Sequence, residues 1–267
     1  MKITSKLVLF SFASVLLLAA CAENGKKLSF NTFTVQQDKD LGAQVASEID
    51  ANQTEYPVLD SATNQEVYAY LYGMRDKILN SGKVAHKDDF AWRLRIIRDD
   101  NTLNAFCTPG GYIYVYTGLM KYLDSEDQLA GVLGHEIAHA DLRHSTRQMT
   151  KSNSISMLLA VLAGDRELLK QLTASVINLK FSRSHETEAD EASVKYLCPT
   201  DYNADAGGKF FEKIQAEGGA SQPEFLSTHP APANRIENFK NVKNELGCTG
   251  DKEYKNEHQR ILSLLPR

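Results

Sequence analysis

The spacing of apolar positions divides the chain into helices, with a short stretch of strands among them. Leu41, Val45 and Ile49 recur every four residues, which predicts a first helix over Val35 to Ile49. Asn52 to Asn64 is polar, contains Pro57 and reads as a connection. Asp60-Ser61 offers a cap for a second helix whose buried face carries Val67, Tyr70, Leu71, Met74, Ile78 and Leu79, and Ser81-Gly82 ends it. From Phe90 to Ile97 the period changes to two, as in a half-buried strand, and Asp99-Asp100-Asn101 is a turn. Asn104 to Cys107 leads into a second turn at Pro109-Gly110-Gly111, and Tyr112 to Tyr116 has high β-propensity. These pieces predict a small sheet. Its outer strand either accepts an extended peptide by strand addition or is purely structural.

Helical periodicity returns at Ser125-Glu126-Asp127-Gln128, which has the spacing of a capping box and opens a long helix predicted to about Met149. Ser154 to Ala163 is apolar and Leu168 to Leu179 amphipathic. Asp165 and Arg166 interrupt them, and about 10–12 residues cannot span a bilayer, which favours a cleft wall over a membrane-seeking hairpin. An acidic helix follows Phe181, and another runs through Phe210, Phe211 and Ile214 to Gly218-Gly219. Phe225 to Pro230 reads as irregular and Ala233 to Leu246 as the final helix. The pattern predicts one mainly helical α+β domain over residues 35–248, with 249–267 as a charged, loosely held tail.

The composition is that of a globular protein: 267 residues, 42% hydrophobic and 24% charged. A formal net charge of −4, a pI near 6.0 and the lack of a basic cluster argue against nucleic acid as a partner. Residues 1–20 stand apart. Lys2 and Lys6 precede an apolar run, Leu7 to Ala20, and Leu18-Ala19-Ala20-Cys21 resembles a bacterial lipobox. This predicts a lipoprotein signal peptide cleaved before Cys21, whose acyl chains insert into the bilayer; an uncleaved anchor or an ordinary signal are the alternatives. Ala22 at the sorting position implies the outer membrane, periplasm-facing, with residues 21–34 as a tether. Three cysteines remain, and no Cys-x-x-Cys pair occurs. Cys198 and Cys248, each at a helix end, are expected to pair, leaving Cys107 a buried thiol.

The candidate chemistry lies in Gly131-Val132-Leu133-Gly134-His135-Glu136-Ile137-Ala138-His139. Four residues of helix turn through about 400°, so His135 and His139 share a face and can hold one zinc ion. Glu136, about 100° round from His135, is placed to take a proton from water activated by that metal. Two histidines need a third protein ligand at a catalytic zinc. Glu186 and Asp190 share a helical face, which allows Glu186 as that ligand and Asp190 as the acceptor of a histidine N–H. An acidic surface helix is the plainer reading of this stretch, His185 is an alternative ligand, and Glu188 points away toward solvent.

Four separate segments resemble metallopeptidase family 48, the HtpX- and BepA-like zinc peptidases of the gluzincin group. They are Asn104-Ala105-Phe106 with Pro109-Gly110-Gly111; His135-Glu136-x-x-His139; Ser182-Arg183-x-x-Glu186-x-Glu188-Ala189-Asp190; and Leu226-Ser227-Thr228-His229-Pro230 with Arg235. The transmembrane helices of HtpX-like members and the helical repeats of BepA-like ones have no counterpart, so the chain is most similar to the short periplasmic lipoprotein type. Cys107-Thr108 departs from the two apolar residues common in relatives. The resemblance implies one zinc per chain on His135, His139 and Glu186, with Glu136 as general base and Asp190 in support. It also implies that His229, with Arg235 nearby, lies over the metal as oxyanion donor or cap. The expectation is a zinc endopeptidase at the outer membrane that degrades misfolded or stalled envelope proteins, with possible contact to outer-membrane assembly machinery. The rival is a chaperone-like assembly factor that keeps the fold while cleavage is rare or silent.

Overall fold

The computed structural model describes residues 31–152, 161, 164–217, 224–230 and 234–266. The predicted signal peptide, Cys21 and most of the apolar run 154–163 lie outside the described residues. Helix α1 (Val35–Ala51) starts at a true capping box, in which Thr34 Oγ accepts from the Gln37 N–H and the Gln37 side chain from the Thr34 N–H. Residues 31–34, read above as tether, belong to the fold: Phe33 is buried and Asn31 and Thr32 bond to Thr146 and Thr150. Helix α2 (Gln65–Leu79) begins later than Asp60-Ser61 suggested, because the Asp60 carboxylate takes the Ala62 N–H in a turn instead.

Strands β1 (Arg93–Ile97), β2 (Ala105–Thr108) and β3 (Tyr112–Tyr116) form one sheet in the order β1-β3-β2. β1 runs parallel to β3, and β2 returns antiparallel through the Pro109-Gly110-Gly111 turn, where both glycines have positive φ. β3 is thus the central strand, not an outer one. The outer edge of β1 is covered by residues 57–59, which leaves β2 as the edge nearest the metal-motif helix.

After a short helix α3 (Thr117–Tyr122), that motif lies on α4 (Glu126–Asp141), buried along its whole length. The predicted capping box is replaced. Gln128 reaches back to the Asp124 N–H, Ser125 donates to Asp127, and the Glu126 N–H donates to the carbonyl of Glu253. Nor does the helix reach Met149. Arg143 takes a left-handed conformation (φ 57°) and a new helix, α5 (His144–Lys151), starts at the next residue. The strain is held by the Arg143 guanidinium, which donates to the buried Asp38 carboxylate and to the Phe33 carbonyl.

The remaining helices are α6 (Arg166–Ile177), α7 (Arg183–Leu197), α8 (Gly207–Ala216), α9 (Glu224–Thr228), α10 (Arg235–Leu246) and α11 (Lys255–Leu262). α6 closes a second apolar cluster with α1 and the sheet through Leu172, Val176 and Ile177, in line with a wall rather than a membrane hairpin. Among the described residues no helix is long and apolar enough to cross a membrane. α7 lies along α4 in close contact. A Cβ at Gly134 would stand 2.7 Å from Ser193 Oγ, and Ser193 Oγ donates to the Gly131 carbonyl at 2.9 Å. Residues 249–266 are not a loose tail. Their backbone caps α4, α11 buries His258 and Ile261, and Leu265 is buried just beyond it, with His258 Nε2 against the carbonyls of Met120 and Leu123. Their charge pattern hid a single apolar stripe in a short amphipathic helix.

Cys198 and Cys248 form a disulfide and Cys107 is a buried free thiol. The bond ties the end of α7 to the segment that caps α4. With a sequence separation of 50, the chain-entropy model gives a stabilisation of about 4 kcal/mol. A Cys198→Ser/Cys248→Ser variant is expected to lose up to this amount in urea unfolding, and an unchanged midpoint would show that the bond constrains nothing.

Candidate active site

Helix spacing places His135 and His139 as predicted, with their Nε2 atoms 2.9 Å apart. Close packing of α7 on α4 brings in Glu186, whose Oε1 is 3.4 Å from His139 Nε2 and whose Oε2 is 3.5 Å from His135 Nε2. His229 completes the group: its Nδ1 is 3.3 Å from His135 Nε2 and 3.2 Å from Glu186 Oε1. One donor atom from each of the four lies within 4.8 Å of the others. Residue 229 is less free than its surroundings in the sequence suggested. Its N–H donates to the Phe225 carbonyl at the end of α9, and its ring stacks on Phe225 at 4.3 Å.

The polar groups around this quartet fix its ring orientations. Asp190 Oδ1 lies 2.8 Å from His135 Nδ1, and an ionised carboxylate only accepts, so the proton sits on Nδ1 and the Nε2 lone pair faces the centre. Asp190 is held in turn by a bidentate Arg235, Nε to Oδ2 at 2.6 Å and Nη2 to Oδ1 at 2.7 Å. The Arg235 guanidinium rests 3.9 Å over the Phe211 ring.

Electrostatics separate the roles. Burial raises the Glu186 carboxyl, but His229, His135 and His139 outweigh it and hold it well below the usual carboxylate range. Burial also raises Glu136, with His229 and His135 only partly opposing it, so its carboxyl stays above the usual range. Burial lowers the His135 imidazolium, yet Asp190 and Glu186 push it up to about 9, whereas burial drives His139 well below the usual value. Glu136 Oε1 lies 3.7 Å from His229 Nε2 and no hydrogen bond reaches it; Glu186 Oε2 has no hydrogen bond either, but pairs in charge with Arg235 Nη2 at 3.2 Å. Facing lone pairs, a low-lying carboxylate and a buried Glu136 oxygen without a hydrogen bond are a donor set that a divalent cation satisfies, and nitrogen and oxygen donors of this kind suit zinc.

Two sequence expectations need correction, and one residue was missed. His185 is outside the quartet: its ring is buried against His144 at 4.5 Å and neither ring nitrogen has a hydrogen-bond partner. Glu188 is not simply solvated but accepts from Arg147 at 2.8 Å, with His144 Nε2 at 3.3 Å. His144 itself escaped notice, although its Nδ1 lies 3.0 Å from Nδ1 of His139. On an unbroken helix it would lie about 140° round from His139, so only the break at Arg143 could have revealed it.

A buried His-Glu-x-x-His pair completed by a glutamate from a second helix defines a metallopeptidase-type site. Residues 76–243 match the model of Peptidase family M48, and the chain belongs to that family. It is 35% identical over 159 residues to the mitochondrial metalloendopeptidase OMA1 of Schizosaccharomyces pombe, covering 57% of this chain and 47% of that protein. It is 29% identical over 164 residues to the beta-barrel assembly-enhancing protease of Escherichia coli, covering 55% and 34%. With the putative beta-barrel assembly-enhancing protease of Vibrio cholerae the identity is 34% over 157 residues, covering 53% and 32%. The chain therefore spans less than half the length of these curated relatives.

Metal analysis is expected to find one zinc per chain in the purified protein, lost in His139→Ala and Glu186→Ala. Full occupancy in Glu186→Ala would place the third ligand elsewhere. Zinc at a hundredfold excess over its dissociation constant stabilises the fold by about 2.7 kcal/mol. Chelation should therefore lower the melting temperature by roughly 5–10 °C for a domain of this size. No shift would mean that the quartet holds no metal.

Proposed function

We propose that this protein is a zinc-dependent endopeptidase, anchored through acyl chains on Cys21 to the periplasmic face of a bacterial outer membrane, that degrades misfolded or stalled envelope proteins. The observation that carries the peptidase reading is the buried quartet with an uncoordinated, high-lying Glu136 at its edge. His135, His139 and Glu186 would hold zinc, which when bound supplies Lewis-acid polarisation of a water and of the scissile carbonyl. Glu136 accepts the proton of the attacking water, and its raised affinity for protons suits both taking that proton and passing it to the leaving amine. Asp190 keeps His135 in the Nδ1–H tautomer throughout, and Arg235 keeps Asp190 in place.

Substrate would lie along β2, which has no strand partner on its outer edge among the described residues, whereas β3 has neighbours on both sides. Access requires movement, because His135, Glu136, His139, Glu186 and His229 are all at most 3% exposed. In this closed arrangement His229 caps the centre through Nδ1. Because its ring is stacked on Phe225, uncapping would shift α9 as a unit rather than swing one side chain. A closed resting site suits a protease stored beside folded envelope proteins. It also leaves room for the second reading, a chaperone-like factor that binds unfolded chains and seldom cuts.

The location draws on the lipobox-like Cys21 segment and on the name of the bacterial relatives, and contact with outer-membrane assembly machinery on that name alone. Glu136→Gln should keep its zinc, lose cleavage and retain substrates, so that proteomics of envelope proteins trapped on it reads out the substrate class. A Glu136→Gln protein that still cleaves would overturn the catalytic assignment, and wild type that retains unfolded envelope proteins as well as Glu136→Gln does, without cutting them, would favour the chaperone-like reading. His229→Ala should lose zinc to a chelator faster than wild type and change its peptidase rate. If both rates match wild type, the histidine is structural.

A further inference from the structure

We propose that His144, Glu188 and Arg147 form a positioning relay that sets the tautomer of the metal-facing His139; this rests on the zinc reading of the site. His135 has its carboxylate partner directly on Nδ1, but His139 has none. What faces His139 Nδ1 is another imidazole nitrogen, His144 Nδ1, at 3.0 Å. Two such nitrogens attract only if one carries a proton and the other a lone pair. If His139 offers Nε2 to zinc, its neutral ring must carry the proton on Nδ1 and donate it, so His144 must accept at Nδ1 and carry its own proton on Nε2.

Glu188 imposes that order from the far end. Its Oε2 lies 3.3 Å from His144 Nε2 and, as a carboxylate, can only accept. Arg147 Nη1 donates to the same oxygen at 2.8 Å, and Ser184 Oγ donates to Oε1 at 3.2 Å. The opposite order, with His144 donating from Nδ1, would turn a second lone pair on Glu188 and put a proton on His139 Nε2, where the metal belongs. His144 is fully buried and stacked on His185 with a 10° interplanar angle, so the ring cannot turn to solvent instead.

The backbone is bent to make this contact. Arg143 adopts its left-handed conformation between the end of α4 and the start of α5, and that bend carries His144 back beneath His139. A strained non-glycine residue at a site is worth a functional account. Here the strain places an imidazole that a straight helix would direct elsewhere. Each metal histidine thus ends in a carboxylate held by an arginine, His135 through Asp190 and Arg235, His139 through His144, Glu188 and Arg147.

The test measures zinc dissociation constants by chelator competition, with the visible spectrum of the cobalt-substituted protein as a second readout. Glu188→Ala is the primary variant because Glu188 is partly exposed and its loss should leave the metal-free melting temperature unchanged. His144→Leu removes the acceptor, and His144→Asn restores an acceptor atom at the Nδ1 position. We expect zinc affinity to fall about 10–100-fold in Glu188→Ala and His144→Leu, with an altered cobalt spectrum, and to recover substantially in His144→Asn. Should His144→Leu fail to fold, Glu188→Ala decides alone. Wild type that binds no stoichiometric zinc overturns the site reading and this proposal together. Tight wild-type binding with Glu188→Ala within about twofold of it overturns the relay alone. A His144→Asn protein as weak as His144→Leu also overturns it.

Discussion

Two imidazole nitrogens 2.9 Å apart, both with lone pairs turned inward and a carboxylate facing them, are the arrangement on which the rest of the molecule depends. Left alone, such a cluster is repulsive in an apolar interior, where unpaired polar groups cost several kcal/mol each. A proton can offset part of this, as the raised His135 indicates, but a divalent cation offsets far more. The fold must therefore hold the donors together in spite of themselves. Rigidity comes from the packing of α4, where Gly134 leaves no room for a side chain against Ser193 of α7 and Gly131 none against Gly207 at the start of α8.

That packing is secured at both ends of α4. At its start, the Glu253 carbonyl takes the Glu126 N–H, and the Cys198–Cys248 bond ties this segment to the end of α7. At its end, the Arg143 bend lets Asp38 and Phe33 of the α1 region grip the same turn. The C-terminal segment thus acts on the site through the frame, without touching the donors. The covalent bond thus fixes the end of α7 to the segment whose Glu253 carbonyl holds the start of α4, remote from the donors themselves.

Much of the site was legible in the sequence because it sits on uninterrupted helices. Helical spacing alone places His135, Glu136 and His139, and the Glu186–Asp190 spacing lets one residue face the centre and the other its second sphere. What remained hidden depended on breaks and long-range contacts. Arg143 carries no glycine or proline signal, so the periodicity ran on past it to Met149 and put His144 on the wrong side. The β order was also invisible, since a parallel β1–β3 pair brackets a hairpin and makes the most strand-like segment central. The tail looked loose because its three apolar residues at the core, Ile261, Leu262 and Leu265, give little local signal, although His258 reaches carbonyls of residues 120 and 123.

The two metal histidines differ in a way that bears on chemistry. An imidazole donating to a carboxylate gains basicity, as His135 does from Asp190, whereas one donating to a neutral imidazole gains less. His135 is accordingly the stronger donor to a cation and His139 the weaker. Glu136 sits next to His135 in sequence and faces His229 across the centre, so in the proposed mechanism the proton acceptor and the cap share one side. The firmly buttressed half of the site, with Asp190 and Arg235, would anchor the cation. The relay-held half, with His139 beneath Phe181, is tied through the Phe181 N–H and the Thr228 carbonyl to the segment that carries His229. On the proposed zinc reading, a shift of that segment which opens the site would therefore be felt first at His139, while His135 would keep hold of the metal.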